Sequence, residues 1–211
     1  MNRRGRFISL EGVDGAGKST HVAWLGEAIA ALGHVVATTR EPGGTPLGEK
    51  LRDLLLHLPM AHDTEALLMF AARREHLGQV IEPALARGEW VVCDRFTDAT
   101  YAYQGGGHGV PHVHIAALER IVHPQCQPDV TILFDVPVSV SRQRLERAQA
   151  AGRDLDKFER EREEFFHRVR DVYLERAAAE PQRFRVVDSS RPMADVRADL
   201  ERFIAGLSAT R

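Results

Sequence analysis

The sequence predicts an α/β fold in which a five-stranded, doubly wound parallel sheet is flanked by helices. Three observations support this prediction: five short apolar runs are typical of buried strands, helical patterns fill most of the gaps, and a glycine-rich turn joins the first strand to the first helix. Parallel strands need crossover connections, which the intervening helices supply. We expect one domain over residues 1–211.

Strands and helices alternate along the chain. The predicted strands are rich in Val, Ile, Leu or Phe and cover 7–10, 34–39, 90–93, 129–135 and 184–188. Helical patterns cover 17–32, 47–57, 63–87, 112–123, 138–149, 157–179 and 193–207. Gly33 and Gly88 indicate helix ends, and Pro111 indicates a first helical residue. A stripe at helical spacing is predicted to be core: Phe158, Phe165, Phe166, Val169 and Tyr173.

The turn after the first strand, residues 12–19, matches the phosphate-loop pattern G-x-x-x-x-G-K-[ST] at every position. Its backbone N–H groups and the helix dipole make an anion cradle, which predicts a P-loop NTPase fold. Lys18 would reach the β- and γ-phosphates, and the Ser19 hydroxyl would ligate Mg²⁺. The alternative is a glycine-rich turn that matches by chance. The predicted ATP-binding residues here are Gly12, Val13, Asp14, Gly15, Ala16, Gly17, Lys18, Ser19 and Thr20.

Composition limits the possible partners. A net charge of −2 argues against a nucleic-acid or membrane-surface binder, and 44% hydrophobic residues suffice for a core. The apolar runs are shorter than a membrane span, and we expect no apolar signal region. The two cysteines, Cys93 and Cys126, form no framework and suit a reducing cytoplasm, with buried packing as their expected role.

Polar groups follow four predicted strands at the point where each strand ends. They are Asp14, Arg40-Glu41, Asp94-Arg95 and Asp135. In an open parallel sheet, ligands bind outside the carboxyl ends of the strands. Four polar strand ends in succession therefore favour one shared site over chance placement at the surface.

The chain lacks the guanine-reading N-K-x-D motif of GTPases, because its single asparagine is Asn2. Arg74 on the helix 63–87 and Arg95 after the third strand would suit an anionic acceptor, since a guanidinium binds phosphate bidentately. Phe70 lies one turn before Arg74, so the pair could stack a base and hold its polar edge. A solvated helix face for Arg74 and core packing for Phe70 are the alternatives.

Several of these residues belong to segments in which the chain resembles a known family. It resembles bacterial thymidylate kinase from end to end. Five segments carry the resemblance in the family's order and spacing: GVDGAGKST from Gly12 to Thr20, TREPGGT from Thr39 to Thr45, MFAARR from Met69 to Arg74, Asp94-Arg95-Phe96, and YQGGG from Tyr103 to Gly107. The resemblance implies transfer of the ATP γ-phosphoryl group to dTMP, giving dTDP and ADP, in dTTP biosynthesis. It also implies Mg²⁺ as cofactor and a homodimer, with helices such as 63–87 at the interface.

The resemblance also implies residue roles on the acceptor side. Asp14 would hold the 3′-hydroxyl of dTMP, and Arg95 would hold its phosphate in line. Phe70 would stack on thymine, Thr100 would bond its edge, and Arg74 would lie against the base carbonyl.

Five further residues receive roles by the same resemblance. Tyr103 would crowd the 2′ face of the sugar and disfavour ribonucleotides, and Gln104 would line the same pocket. Glu41 and Pro42 would close the pocket from the second strand. Asp94 would orient Mg²⁺ through water.

Residues from about 142 to 157 resemble the family's lid, with a break at Ala150-Ala151-Gly152. The family places its catalytic arginine either in the phosphate loop or in the lid. Because Gly15 occupies the loop position here, the arginine would come from the lid, as Arg153 or alternatively Arg147. Arg144 would lie near the adenine. A solvated charged helix is the alternative for each of these arginines.

Two departures from the family pattern affect these roles. Asp156 is followed by Lys157, where relatives often have arginine, so that contact would lose the guanidinium fork. The sequence after Arg74 is about one residue shorter than in many relatives, which leaves Arg73 as a possible substitute for Arg74. His108, His112 and His114 predict a solvated loop and helix start and no zinc site.

Two other functions remain open. One is another small-molecule phosphotransferase of this fold, such as a deoxynucleoside or uridylate kinase, although paired acceptor arginines disfavour an uncharged acceptor. The other is a nucleotide-gated regulator or adaptor, which would bind ATP without rapid acceptor-dependent turnover.

Overall fold

A computed structural model describes residues 4–209 and shows a five-stranded parallel sheet in the order β2-β3-β1-β4-β5. The strands are β1 Phe7–Glu11, β2 Val36–Arg40, β3 Trp90–Asp94, β4 Val130–Asp135 and β5 Phe184–Asp188. All five predicted strands are confirmed, as is the doubly wound α/β fold. Every residue of β1 is buried, which explains its unbroken apolar run.

The register brings the carboxyl ends of the central strands to one edge of the sheet. Leu10 of β1 pairs with Asp94 of β3, and Arg40 of β2 pairs with the same aspartate. On the other side, Glu11 of β1 pairs with Leu133 of β4. The residues that follow these strands therefore start from a common edge.

Most helices match their predicted positions. They are α1 Lys18–Ala31, α2 Pro46–His57, α3 His62–His76, α4 Glu82–Ala86, α5 Thr97–Thr100, α6 His112–Val122, α7 Val138–Ala150, α8 Glu163–Ala179 and α9 Met193–Ala209. Two π-helical stretches interrupt this series. The first, Leu77–Ile81, joins α3 to α4, so the predicted helix 63–87 has wider turns at its centre.

The second π-helical stretch, Tyr101–Gly107, continues α5 and was not predicted as helix. Its three consecutive glycines look like a loop in sequence, yet they allow close packing on α8. A Cβ at Gly107 would lie 2.3 Å from the Phe165 ring, and a Cβ at Gly106 would lie 2.6 Å from Val172. The glycines are therefore required by helix contact rather than by a turn.

The segment between α7 and α8 differs from its prediction. Helix α8 begins at Glu163 instead of residue 157, because the Asp156 carboxylate accepts backbone N–H groups of Phe158 and Glu159 at 2.9 and 3.0 Å. Such a cap holds the chain in a local turn. The segment predicted to form the lid, about 142–157, therefore covers the end of α7 and part of an irregular stretch over 151–162.

Packing confirms the predicted core. The stripe Phe158, Phe165, Phe166, Val169 and Tyr173 is buried, and so are Cys93 and Cys126. Within residues 4–209, no helix is both long and apolar enough to cross a membrane.

Candidate active site

The loop between β1 and α1 has the backbone that a phosphate cradle needs. Gly12, Gly15 and Gly17 have φ angles of 138°, 77° and 93°, which favour glycine. A Cβ at Gly12 would lie 2.4 Å from the Phe134 carbonyl oxygen, and the Ser141 hydroxyl donates to the Asp14 carbonyl at 2.6 Å. The loop is therefore held against β4 and α7, with the N-terminus of α1 beneath it.

Lys18 and Arg144 are among the cations that contact this loop. Lys18 Nζ donates to the carbonyl oxygens of Gly12 and Val13 at 2.8 and 2.9 Å. Burial and then the neighbouring Arg95 lower the pKa of Lys18 to about 8, so a bound polyphosphate would favour the charged form. Arg144 Nη1 donates to Gly15 O at 3.1 Å and its Nη2 to Ser189 O at 2.8 Å, which ties the loop to the segment after β5.

A pocket lies beside the phosphate loop, between the sheet edge, α2, α3 and the lid. It contains most of the residues predicted to bind the acceptor. Its lining residues are Asp14, Glu41, Pro42, Arg52, Leu56, Met69, Arg73, Arg95, Phe96, Ala99, Thr100, Tyr103, Gln104, Asp156 and Phe158.

Arg95 joins the phosphate loop to this pocket. Its Nη1 donates to Gly12 O at 3.0 Å, and its Nη2 donates to Asp14 Oδ1 at 2.5 Å. The Tyr103 hydroxyl donates to the other Asp14 oxygen at 2.8 Å. Burial raises the pKa of Asp14, but Arg95 and Lys18 outweigh this effect, and the resulting pKa lies below the usual value. The site therefore holds an ionised carboxylate beside a charged guanidinium.

The prediction for Arg74 was wrong, because the adjacent Arg73 faces the pocket instead. The half-exposed Arg74 donates to Val122 O at 2.9 Å and to Glu82 at 3.0 Å, away from the pocket. Arg73 is 2% exposed, and its Nη2 donates to the Thr100 hydroxyl at 3.2 Å. Its buried Nη1 has no hydrogen-bond partner among the described residues. One polar atom of Arg73 is thus left for a ligand.

Phe70 lies beneath Arg73, whose guanidinium carbon is 4.8 Å from the ring centroid. Its ring is buried in a cluster with Ala66 and Tyr101, and Phe96 lines the pocket in its place. Base stacking on Phe70 stays a prediction.

Gln104 also lies where predicted, and its amide donates to the buried Glu65 carboxylate at 2.8 Å. Glu65 therefore orients a side chain that lines the acceptor site.

Arg52 is a site residue that sequence reasoning missed. It lines the acceptor pocket and also a larger cleft around the phosphate loop, to which Lys18 and Ser19 belong and which we call the donor cleft. Its Nη1 donates to Pro42 O at 3.0 Å. A signal was present in the sequence: Arg52 lies four residues after Gly48 and three before Leu55, which are the buried positions of α2. A cation on the buried face of an amphipathic helix points to a ligand.

The comparisons with known proteins agree with this geometry. The model of the family described as "Thymidylate kinase" matches residues 10–200. The chain belongs to the thymidylate kinase family. The thymidylate kinase of Bordetella pertussis is 62% identical over 209 residues, covering 99% of each chain. That of Methylobacillus flagellatus is 62% identical over 197 residues, covering 93% of this chain and 95% of the relative.

A solved structure shows the same relationship. The crystal structure of thymidylate kinase from Ehrlichia chaffeensis has a TM-score of 0.77 and 32% identity, covering 96% of this chain and 99% of that one. The family and its fold together make this chain an ATP-dependent nucleoside monophosphate kinase, a phosphotransferase.

The chain has a pair of oxygen groups that fits a divalent cation. The Ser19 hydroxyl donates to Asp94 Oδ2 at 3.2 Å beside the phosphate loop. Asp94 Oδ1 is buried and has no hydrogen-bond partner within the described residues. Hydroxyl and carboxylate oxygens are ligands that Mg²⁺ accepts, so the donor set is suitable.

The two candidate lid arginines differ in their position relative to the donor cleft. Arg153 lines the donor cleft and forms an ion pair with Glu159, whereas the exposed Arg147 is not among the residues lining that cleft. Arg160 lines the cleft too and was not predicted. Lys157 turns away from the cleft, because its Nζ lies 2.6 Å from Glu65 Oε2.

The three histidines considered for zinc do not share one site. His108 forms a group with His62 and Glu65, whose ligand atoms all lie within 4.8 Å of one another. His108 Nδ1 is 3.0 Å from Glu65, and the Lys157 ammonium contacts the same carboxylate. The positive charge beside this carboxylate is thus supplied by a side chain of the protein, Lys157.

Proposed function

We propose that this chain transfers the γ-phosphoryl group of ATP to dTMP, giving dTDP and ADP. The observation that carries the proposal is Arg95, which bonds both the Gly12 carbonyl of the donor loop and the Asp14 carboxylate of the acceptor pocket at 3.0 and 2.5 Å. A cation fixed between two anionic reactants lowers their repulsion and aligns them.

The chemistry needs positioning more than proton transfer. An oxygen of the acceptor phosphate attacks the γ-phosphorus, the bond from that phosphorus to the β–γ bridging oxygen breaks, and ADP leaves. A phosphate monoester is largely dianionic near pH 7, so no strong general base is required. Arg95 and Arg52 would hold the acceptor phosphate, and Lys18 would bind the donor β- and γ-phosphates.

Base recognition in this proposal uses Arg73 in place of Arg74. The unpartnered Arg73 Nη1 would donate to a thymine carbonyl, and the Thr100 hydroxyl beside it would bond the base edge. Gln104 would line the base edge. Phe70, which is buried beneath Arg73 and is not among the lining residues, would have to turn into the pocket to stack on the base. A buried donor without a protein partner is costly, so the pocket should discriminate against bases that leave it unpaired.

The sugar would meet Asp14 and Tyr103, which already bond each other at 2.8 Å. Asp14 would accept the 3′-hydroxyl, and the Tyr103 ring would occupy the space of a 2′-hydroxyl. Glu41 and Pro42 also line the pocket and would close it from the second strand. This arrangement would favour a deoxyribonucleotide.

Mg²⁺ would be held by the Ser19 hydroxyl and, through water, by Asp94. When bound, the ion neutralises charge on the donor phosphates. The residues of this chain supply the rest: the loop orients the triphosphate, and Arg144 fixes the loop against the segment after β5.

The lid would exclude water and supply an arginine to the transferred group. Arg153 is our choice, because it lines the donor cleft and follows the break at Gly152, whose φ is 91°. Arg153 would exchange its ion pair with Glu159 for one with the phosphates of ATP, which carry more negative charge. Arg147 would have to move into the cleft to play this part.

A homodimer is also proposed. Leu67 on α3 and Val113 and Ile121 on α6 are 54%, 67% and 77% exposed, although α3 and α6 pack on each other. Exposed apolar side chains on two adjoining helices favour a subunit interface. Sedimentation of the wild type beside a Leu67→Glu variant tests this, and a monomeric wild type would contradict it.

Acceptor-dependent ADP formation tests the function directly. Purified protein with ATP and Mg²⁺ is given dTMP, dUMP, UMP, CMP, AMP or thymidine. A strong preference for dTMP is expected. A preference for UMP or for thymidine would favour another kinase of this fold, and ATP binding without any turnover by folded protein would favour a regulator.

A further inference from the structure

The backbone at Arg95 is strained, which makes its surroundings informative. With φ at 71°, Arg95 is the one non-glycine residue between positions 4 and 209 in the left-handed region. Side chains with a Cβ rarely adopt this conformation, and it persists when neighbouring groups hold it. A group that holds it here is Glu11, whose Oε1 accepts the backbone N–H of Phe96 at 2.6 Å.

The other oxygen of the same carboxylate reaches the guanidinium of Arg95 through one tyrosine. The Tyr173 hydroxyl donates to Glu11 Oε2 at 2.8 Å. Arg95 Nη1 in turn donates to the Tyr173 oxygen at 3.1 Å. Glu11 and Tyr173 are 0% and 1% exposed, so water does not compete for these bonds.

Glu11 also connects to the donor side by its place in the chain. It directly precedes Gly12, whose carbonyl accepts from Lys18 Nζ at 2.8 Å and from Arg95 Nη1 at 3.0 Å. One buried side chain therefore bonds the backbone after Arg95 and, through Tyr173, the Arg95 head group, and it belongs to the residue directly before the phosphate loop.

We propose that Glu11 and Tyr173 are positioning residues that hold Arg95 in its reactive place before substrates bind. This inference rests on the proposed function, since it assigns the alignment of donor and acceptor to Arg95. Neither residue lines the acceptor pocket, so neither would contact dTMP. Their effect passes through Arg95 alone.

Replacing Tyr173 by Phe removes one hydroxyl and leaves the ring packing unchanged. We expect kcat/KM for dTMP to fall about tenfold, with KM for ATP changed less than about twofold, because misplacing a reacting group costs rate more than remote binding. Tyr101→Phe is the matched control: its buried hydroxyl donates to Glu119 at 2.6 Å, away from Arg95. This control should match the wild type.

A second readout does not depend on turnover. In the ligand-free wild type, the ¹⁵N-labelled guanidinium of Arg95 should give a narrow, slowly exchanging NMR signal that Tyr173→Phe broadens. Glu11→Gln, which replaces one of the two carboxyl oxygens by an amide NH₂ at nearly constant shape, should broaden it as well. A purely structural role would lower the melting temperature and leave this signal and kcat/KM of the folded protein unchanged.

These readouts separate the two proposals. If the wild type does not use dTMP, the proposed function fails, and the NMR comparison still decides whether Glu11 and Tyr173 hold Arg95. If the wild type uses dTMP but both variants keep its kcat/KM and the sharp Arg95 signal, the positioning role is overturned and the function stands.

Discussion

Arg73 Nε donates to Glu41 Oε2 at 2.7 Å, and the two side chains are 2% and 4% exposed. His76 Nδ1 lies 3.0 Å from the other Glu41 oxygen, so this carboxylate is bonded on both sides. The pair fixes one wall of the acceptor pocket. Removing one partner of a charge pair buried this deeply strongly destabilises the fold, because the other charge is left unpaired. Conservative substitutions, which keep the charge, are therefore more informative.

Two adjacent arginines allow a matched test of that wall. Arg73→Lys should raise KM for dTMP about tenfold or more, because a lysine keeps the charge but cannot bond Glu41, Thr100 and a base carbonyl together. Arg74→Lys should change it less than about twofold, since it faces Glu82 at the surface. Steady-state kinetics with saturating ATP would measure both. Equal losses in the two variants would contradict our placement of the base.

The lid offers a second matched pair. Arg153→Ala should lower kcat about 100-fold, with little change in ATP affinity, because an arginine on a transferred phosphoryl group acts mainly in the transition state. Arg147→Ala should leave kcat within about twofold. Single-turnover measurements with dTMP would separate chemistry from product release. The reverse order of effects would move the catalytic role to Arg147.

A third prediction concerns the contact between Lys157 in the lid and Glu65 on α3, at 2.6 Å. Glu65 also orients Gln104, so it connects the lid to the pocket wall. Glu65→Gln should speed amide hydrogen exchange across 151–162 and raise KM for dTMP. Glu201→Gln, an exposed change on α9, is the control. Unchanged exchange in Glu65→Gln would show that this ion pair does not hold the lid.

The fourth prediction is a dependence of stability on pH through His123. Its Nε2 accepts from the Thr97 hydroxyl at 2.7 Å and its Nδ1 donates to Cys126 O at 3.1 Å, which suits a neutral ring. Burial and then Arg73 lower the pKa of His123 from 6.5 to about 4. The unfolded chain therefore takes up the proton first, and stability falls as the pH drops from about 6.5 to about 4.

The measurement compares the free energy of unfolding at pH 7 and pH 4.5 for the wild type and His123→Gln. The wild type should lose up to about 3 kcal/mol more than the variant over this range, since each pKa unit corresponds to about 1.4 kcal/mol. Parallel pH curves for the two proteins would assign the acid loss to other groups.

The sequence was most informative where local pattern decides structure. The β1 run and the phosphate loop follow from apolar runs and glycine spacing, and the comparisons support the same family. Arg74 was misplaced because Arg73 and Arg74 lie three and four residues after Phe70 in the regular helix α3, and helical spacing does not distinguish the two. The orientation of Arg73 depends on its hydrogen bond to Glu41. Because Glu41 is distant in sequence, this contact cannot be predicted from local periodicity.

The glycine run Gly105–Gly107 shows a different limit, because no helix was predicted there. Its π-helical structure depends on packing against α8, whose Arg168 donates to the Gly106 carbonyl at 3.1 Å. Arg52 and Glu65 are similar cases: each is a polar residue on a buried helix face, and its partners come from other elements.

The order β2-β3-β1-β4-β5 has a consequence for folding of the chain during its synthesis on the ribosome. The strand that carries the phosphate loop is synthesised first, yet its two neighbours in the sheet end at Asp94 and Asp135. Until β4 emerges, β1 exposes an apolar edge, and Phe134, which packs under Gly12, does not yet exist. A nascent chain should therefore gain ATP affinity only after about two thirds of it has been made.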